Sequence, residues 1–119
     1  MRLAVTSQNR LTVTGHAGRC QRFLVYELEG GVTTSRALVE VDEAQTLHQH
    51  HELPPALGRL DAFITGGMGQ GLFARLTALG IKAVVTSETA PDAAVAGLLA
   101  GTLQRGEAHA HGAGGCGNH

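Results

Sequence analysis

The chain has 119 residues, 43% of them apolar and 16% charged, with a formal net charge of −1. That suits one globular domain with a modest core and excludes the weakly hydrophobic, highly charged class that stays unfolded. At that net charge no basic field is available to recruit nucleic acid or an acidic membrane surface, and arginine supplies nearly all the positive charge, Lys82 being the only lysine.

The N-terminal run Leu3-Ala4-Val5-Thr6 reads as a short buried strand. It turns polar from Thr6 to Arg10, too soon for a signal peptide, and no segment approaches the length of a membrane span. The expected compartment is therefore the cytoplasm, where Cys20 and Cys116 stay reduced; two cysteines are also too few for a disulfide framework.

Gly15-His16-Ala17-Gly18-Arg19-Cys20 follows. Glycines flanking a histidine bring backbone close to whatever the imidazole touches, a thiol four residues on is a second soft donor, and Arg19 and Arg22 can meet negative charge. Imidazole with thiolate suits iron, copper or zinc rather than magnesium. On spacing alone, a polar loop whose cysteine begins a buried strand is the simpler account.

Phe23-Leu24-Val25-Tyr26-Glu27-Leu28 is a nearly continuous apolar run, as in a strand covered on both faces. Gly30-Gly31 accepts the positive φ of a tight hairpin. A third strand follows over Ser35 to Val41, with Ala37, Val39 and Val41 on one face.

His48-Gln49-His50-His51-Glu52 is a histidine cluster able to chelate a divalent metal, and equally a solvated loop. It lacks the H-E-x-x-H spacing of a metalloprotease. Leu53 to Leu60 reads as a short helix with Pro54 and Pro55 in its first turn.

Ala62-Phe63-Ile64-Thr65 is a buried strand. Gly66-Gly67-Met68-Gly69-Gln70-Gly71 then opens a helix carrying Leu72, Phe73, Leu76 and Leu79 on one stripe and stopped by Gly80. The N–H groups about Gly67, Gly69 and Gly71 favour an anion. A P-loop Lys-Ser/Thr and the dinucleotide G-x-G-x-x-G spacing are both missing. Ile81 to Thr86 is a fifth strand. Pro91 opens a last helix with Val95, Leu98, Leu99 and Leu103 in register, weakened near its end by Gly101.

From Glu107 to His119 no bulky apolar residue remains, so residues 106–119 are expected to form a flexible Gly/His-rich tail behind one domain of residues 1–105. The order β-β-β-α-β-α-β-α predicts an α/β fold, helices covering both faces of a five-stranded mixed sheet. No G-x-S-x-G or other oriented nucleophile is present.

Several of these segments together resemble the dinitrogenase iron–molybdenum cofactor-binding family, which includes NifX- and NafY-type proteins and the C-terminal domain of NifB. They are Leu3-Ala4-Val5-Thr6-Ser7, Val13-Thr14-Gly15-His16-Ala17-Gly18 leading into Phe23-Leu24-Val25-Tyr26, Asp61-Ala62-Phe63-Ile64-Thr65-Gly66-Gly67-Met68-Gly69, and Ala94 to Leu103. The resemblance implies a three-layer α/β/α, ribonuclease-H-like fold with strand two antiparallel. It also implies a non-enzymatic protein that binds or carries an iron–sulfur or iron–molybdenum cofactor or its precursor, with nitrogenase or other assembly proteins as partners. His16 is then the leading ligand and Cys20 a second. Arg19 or Arg22 and the N–H groups around Gly67, Gly69 and Gly71 would offset the charge of the cluster.

A nuclease of that fold needs clustered carboxylates. Thr6 and Ser7 stand where an acid is required, leaving Glu40, Asp42 and Asp61 without a first partner. A divalent-metal buffer or sensor built on His48, His50, His51 and the tail is the alternative function. The cofactor reading further expects His16 and the glycine loop to meet at one edge of the sheet.

Overall fold

The structure is a computed structural model, and it describes residues 1–43, 46–47 and 55–101. Five strands form one sheet in the order β3-β2-β1-β4-β5. β1 (Arg2–Thr6) is central, antiparallel to β2 (Arg22–Glu29) and parallel to β4 (Ala62–Thr65). β3 (Val32–Glu40) pairs antiparallel with β2 at one edge, and β5 (Lys82–Val85) pairs parallel with β4 at the other. The fold class is thus α/β with a mixed five-stranded sheet whose second strand is antiparallel to its neighbours.

Alternate residues of the apolar strands serve two faces, as pleating requires. Ala4, Phe23, Val25, Phe63 and Val85 face one way, where they meet Leu76, Leu72 and Phe73 of α1 (Gln70–Ala78). On this face the rings of Phe23 and Phe63 lie tilted at 60° with centroids 6.1 Å apart. Leu3, Val5, Leu24, Tyr26 and Ile64 face the other way, against Ala94, Val95 and Leu98 of α2 (Pro91–Ala100). Both faces of the central strands are covered, so no alternation of polar residues marks them.

Three expectations change. Leu53 to Leu60 is not a helix over its described part: Pro55–Leu57 makes a single 3-10 turn, and Gly58 at φ 68° breaks right-handed continuation. Leu79 leaves the apolar stripe of α1, because the helix ends at Ala78 and Leu79 caps it from an exposed position. α2 is closed rather than only weakened at Gly101, which turns left-handed at φ 74° directly after Ala100. Leu103 lies outside the described residues.

The hairpin expected at Gly30-Gly31 forms, with φ of 59° and 82°. Ala37 and Val39 share the face of their partners Val25 and Phe23, but Ala37 is exposed because β3 is an edge strand.

Candidate functional site

β1 and β4 are parallel neighbours, so the segments leaving their carboxyl ends emerge side by side. The residues that end them are threonines, and both are fully buried. The hydroxyl oxygens of Thr6 and Thr65 lie 2.8 Å apart. The Thr14 carbonyl accepts from Thr6 Oγ1 at 2.5 Å and lies 3.2 Å from Thr65 Oγ1. Gly66 N–H donates to that same carbonyl, and Thr14 N–H returns to the Thr6 carbonyl. Buried hydroxyls need such partners, and here they tie two loops to two strand ends.

The loops also touch through bare backbone. Ala17 N–H donates to the Gly67 carbonyl at 3.0 Å. A Cβ on Gly66 would come within 3.3 Å of the Thr14 carbonyl, and one on Gly15 would meet Gly67. The first loop and the glycine loop therefore share one sheet edge.

On this frame His16 is exposed, at φ 54° and ψ 48°, and precedes a 3-10 turn of Ala17–Arg19. The left-handed region is costly for a residue with a Cβ, so the fold holds this histidine in a conformation glycine would accept more readily. Ala17 beneath it is buried and anchors the turn. His16, Arg19 and Cys20 border one shallow pocket of about 320 Å³, with Gln8, Thr14 and Gly15.

The two soft donors differ in state. Cys20 is 2% exposed, and its thiol donates to the Arg22 carbonyl at 2.9 Å. Burial raises its pKa, against smaller opposing effects from hydrogen bonds with Arg22, Ser7 and Thr14. The thiol form is therefore favoured. Arg19 is exposed. Arg22 is engaged with Glu40 at 2.7 Å and with the Gln8 carbonyl at 3.2 Å.

The glycine loop divides by role. Gly67 is buried, and its N–H lies 3.3 Å from Thr65 Oγ1 as donor. Gly69 and Gly71 stand at the start of α1, where a Cβ on either would meet nothing within 4 Å. Gly69 provides no side-chain cap to the helix. These three glycines do not line the pocket beside His16.

Carboxylates are dispersed. Glu40 is held by arginine, and Asp61 lies at the opposite end of β4, where its side chain accepts from Arg2 N–H. Among the described residues no group of three or more His, Cys, Asp or Glu side chains could hold a metal ion. His48, His50 and His51, like the tail with Cys116, lie outside the described residues. The spacing of single residues did not reveal Thr6 and Thr65 as the link between the loops; the available signal was threonine ending each of two buried strands.

Residues 1–101 match the family model described as dinitrogenase iron–molybdenum cofactor. The chain belongs to this family. Among solved structures, the iron–molybdenum cofactor family member is similar to the protein PH0822, with a TM-score of 0.71 and 24% identity over 88% of this chain and 94% of that one. It is also similar to the apo form of the orange protein from Desulfovibrio gigas, with a TM-score of 0.67 and 21% identity over 90% and 93%. A third is the NifB-type protein TM1290 from Thermotoga, with a TM-score of 0.62 and 21% identity over 87% and 91%. At these identities the likeness speaks for the fold. A search of curated proteins found no match. Among the described residues of this family member, no helix is long and apolar enough to cross a membrane.

Proposed function

We propose that this chain binds and carries an iron–sulfur or iron–molybdenum cofactor, or its precursor, as a non-enzymatic accessory protein of nitrogenase-type cofactor assembly. Membership of the dinitrogenase iron–molybdenum cofactor family over residues 1–101 carries the proposal. The cluster is cargo, so the site must hold it and release it. A single exposed imidazole on a braced loop suits that task better than a closed cage of ligands.

In this reading His16 supplies the first bond to iron. Arg19, on the same pocket, offsets the negative charge of the cluster, and the start of α1 at Gly69 and Gly71 adds the positive end of a helix dipole. Gly67 contributes mainly by fixing the loop, given its bond with Thr65. Cys20 is the second donor in the proposal, and to ligate it must give up its proton and its contact with Arg22.

The same reading takes the strand order and the antiparallel β2 as a three-layer, ribonuclease-H-like arrangement. It places the protein in the reducing cytoplasm, with nitrogenase or other assembly proteins as partners.

The test is anaerobic incubation of the apo-protein with a cluster donor, followed by absorbance and EPR. The wild-type chain should acquire the spectrum of a bound cluster. His16→Ala should lose it, and Arg19→Ala should weaken binding by about tenfold, the worth of one charge-assisted contact. Unchanged binding in His16→Ala removes His16 from the site.

A further inference from the structure

Among the described residues β3 pairs with β2 alone, and its other side is a sheet edge with no partner strand among them. Its register against β2 is regular from Ser35 to Glu40; the irregularity opposite Glu27 and Leu28 leaves Thr34 as the extra residue. Val41 N–H donates to the Gln21 carbonyl, toward β2. Antiparallel ladders alternate, so Val39, Ala37 and Ser35 also turn their backbone groups inward. Glu40, Leu38 and Arg36 turn theirs outward. The β1 side gives the same phase: Ser7 N–H donates to the Arg22 carbonyl and Leu28 N–H to the Met1 carbonyl. Even-numbered residues of β2 thus serve β1, and odd-numbered ones serve β3.

A row of outward N–H and C=O groups is a template for another strand. The side chains in phase with it are Arg36, Leu38 and Glu40, and Leu38 is 43% exposed although its neighbour Leu24 is buried. We infer that this edge is a homodimer interface, in which β3 pairs antiparallel with β3 of a second copy about a two-fold axis at Leu38.

Charge selects both the register and the partner. A two-fold axis can pass through an outward-facing residue or through an inward-facing one, since outward-facing residues exchange hydrogen bonds in pairs in both cases. Placed at Ala37 it sets Leu38 against Arg36, and at Val39 it sets Leu38 against Glu40, leaving a charge opposite a leucine. Placed at Arg36 it opposes two guanidinium groups, and at Glu40 two carboxylates. Placed at Leu38 it opposes two leucines and sets Arg36 of each copy against Glu40 of the other on both sides of the axis, a contact added to the bonds that Arg36 makes to Asp92 and Glu40 to Arg22 within each chain. Opposite charges directly across an antiparallel pair stabilise it, and like charges do the reverse. The strand is complementary to itself in this register, which is what a second copy requires. Because the strands run antiparallel, the carboxyl edges of the two sheets point in opposite directions, and each His16 loop stays uncovered.

The test uses the full chain in sedimentation velocity over a concentration series, where a monomer–dimer equilibrium is expected. Leu38→Pro removes an outward N–H and no bond to β2. It should keep the monomer's circular dichroism and abolish the dimer. Arg36→Glu and Glu40→Arg should each weaken association by about tenfold. An equimolar mixture of those two variants should recover it, because the introduced carboxylate of one copy then faces the introduced guanidinium of the other. Mixing alters no contact within a chain, so recovery reports the interface alone. The inference is overturned by a chain that stays monomeric at every concentration, even one that captures extended peptides. It is equally overturned by association that Leu38→Pro and the mixture leave unchanged.

Discussion

The hydroxyls of Thr6 and Thr65, which end two parallel strands, meet 2.8 Å apart in the core and together reach the carbonyl of Thr14. The loop bearing His16 is thereby fastened to the loop bearing Gly67. Thr65→Val keeps the shape of the side chain but takes the partner from the buried Gly67 N–H and removes one contact from the Thr14 carbonyl, which keeps Thr6 Oγ1 and Gly66 N–H. A loss of about 1–3 kcal/mol is expected in urea unfolding. Thr65→Ser, which restores the hydroxyl, should recover most of it. If the pair positions the site, Thr65→Val should also weaken cluster uptake under conditions where the variant remains folded, and Thr65→Ser should restore uptake.

His16 is held left-handed at φ 54°. His16→Gly and His16→Ala both remove the imidazole, but only glycine relaxes in that conformation. His16→Gly should therefore be more stable than His16→Ala by about 1 kcal/mol in denaturant titration. Both should lack cluster binding. Equal stabilities would mean that the loop shifts out of the left-handed region when the histidine is removed.

Much of this frame was legible because its signals are local. The runs Phe23-Leu24-Val25-Tyr26 and Ala62-Phe63-Ile64-Thr65 read as strands buried in the sheet, and both form as expected. Gly15 and Gly18 around His16 marked a loop, and Gly15 does lie against the backbone of Gly66 and Gly67. What escaped depends on contacts between distant residues. The Thr6–Thr65 pair spans 59 residues of sequence and exists only because β1 and β4 are neighbours. The 3-10 turn at Pro55–Leu57 replaces the expected helix because Gly58 adopts a positive φ, a choice its sequence neighbours do not dictate.

Cys20 is buried, and its thiol pKa is raised chiefly by that burial. In native apo-protein at neutral pH, alkylation of Cys20 by iodoacetamide should be much slower than in the unfolded chain, as read by peptide mapping of that residue. Its rate should keep rising as pH passes the ordinary thiol range, because thiolate accumulates only there. Rapid native modification at neutral pH would show that the loop opens often enough to present the thiol as a ligand.

Tyr26 and Asp92 set the response of the β2–α2 contact to pH. The Tyr26 hydroxyl donates to Asp92 Oδ1 at 2.6 Å, and Arg36 donates to the same carboxylate at 3.0 Å. Desolvation, followed by the bond to Asp92, raises the phenol's pKa above its ordinary value of 10.0. The unfolded chain then ionises first as pH rises. The resulting contribution is intact below pH 10 and is lost progressively above it. Asp92 behaves in the opposite sense. Its pKa is lowered, first by the Tyr26 hydroxyl, so its contribution is present above the ordinary carboxylate value of 3.8 and is lost as pH falls below that. Its carboxylate is largely exposed, which makes the acid arm the smaller of the two. Tyr26→Phe keeps the ring in the core and removes the titrating group. Thermal unfolding from pH 8 to 11 should show the wild-type midpoint falling more steeply than that of Tyr26→Phe, and below pH 4 the acid-induced loss should shrink in the variant. Parallel profiles for the two proteins over the alkaline range would show that another group governs stability there.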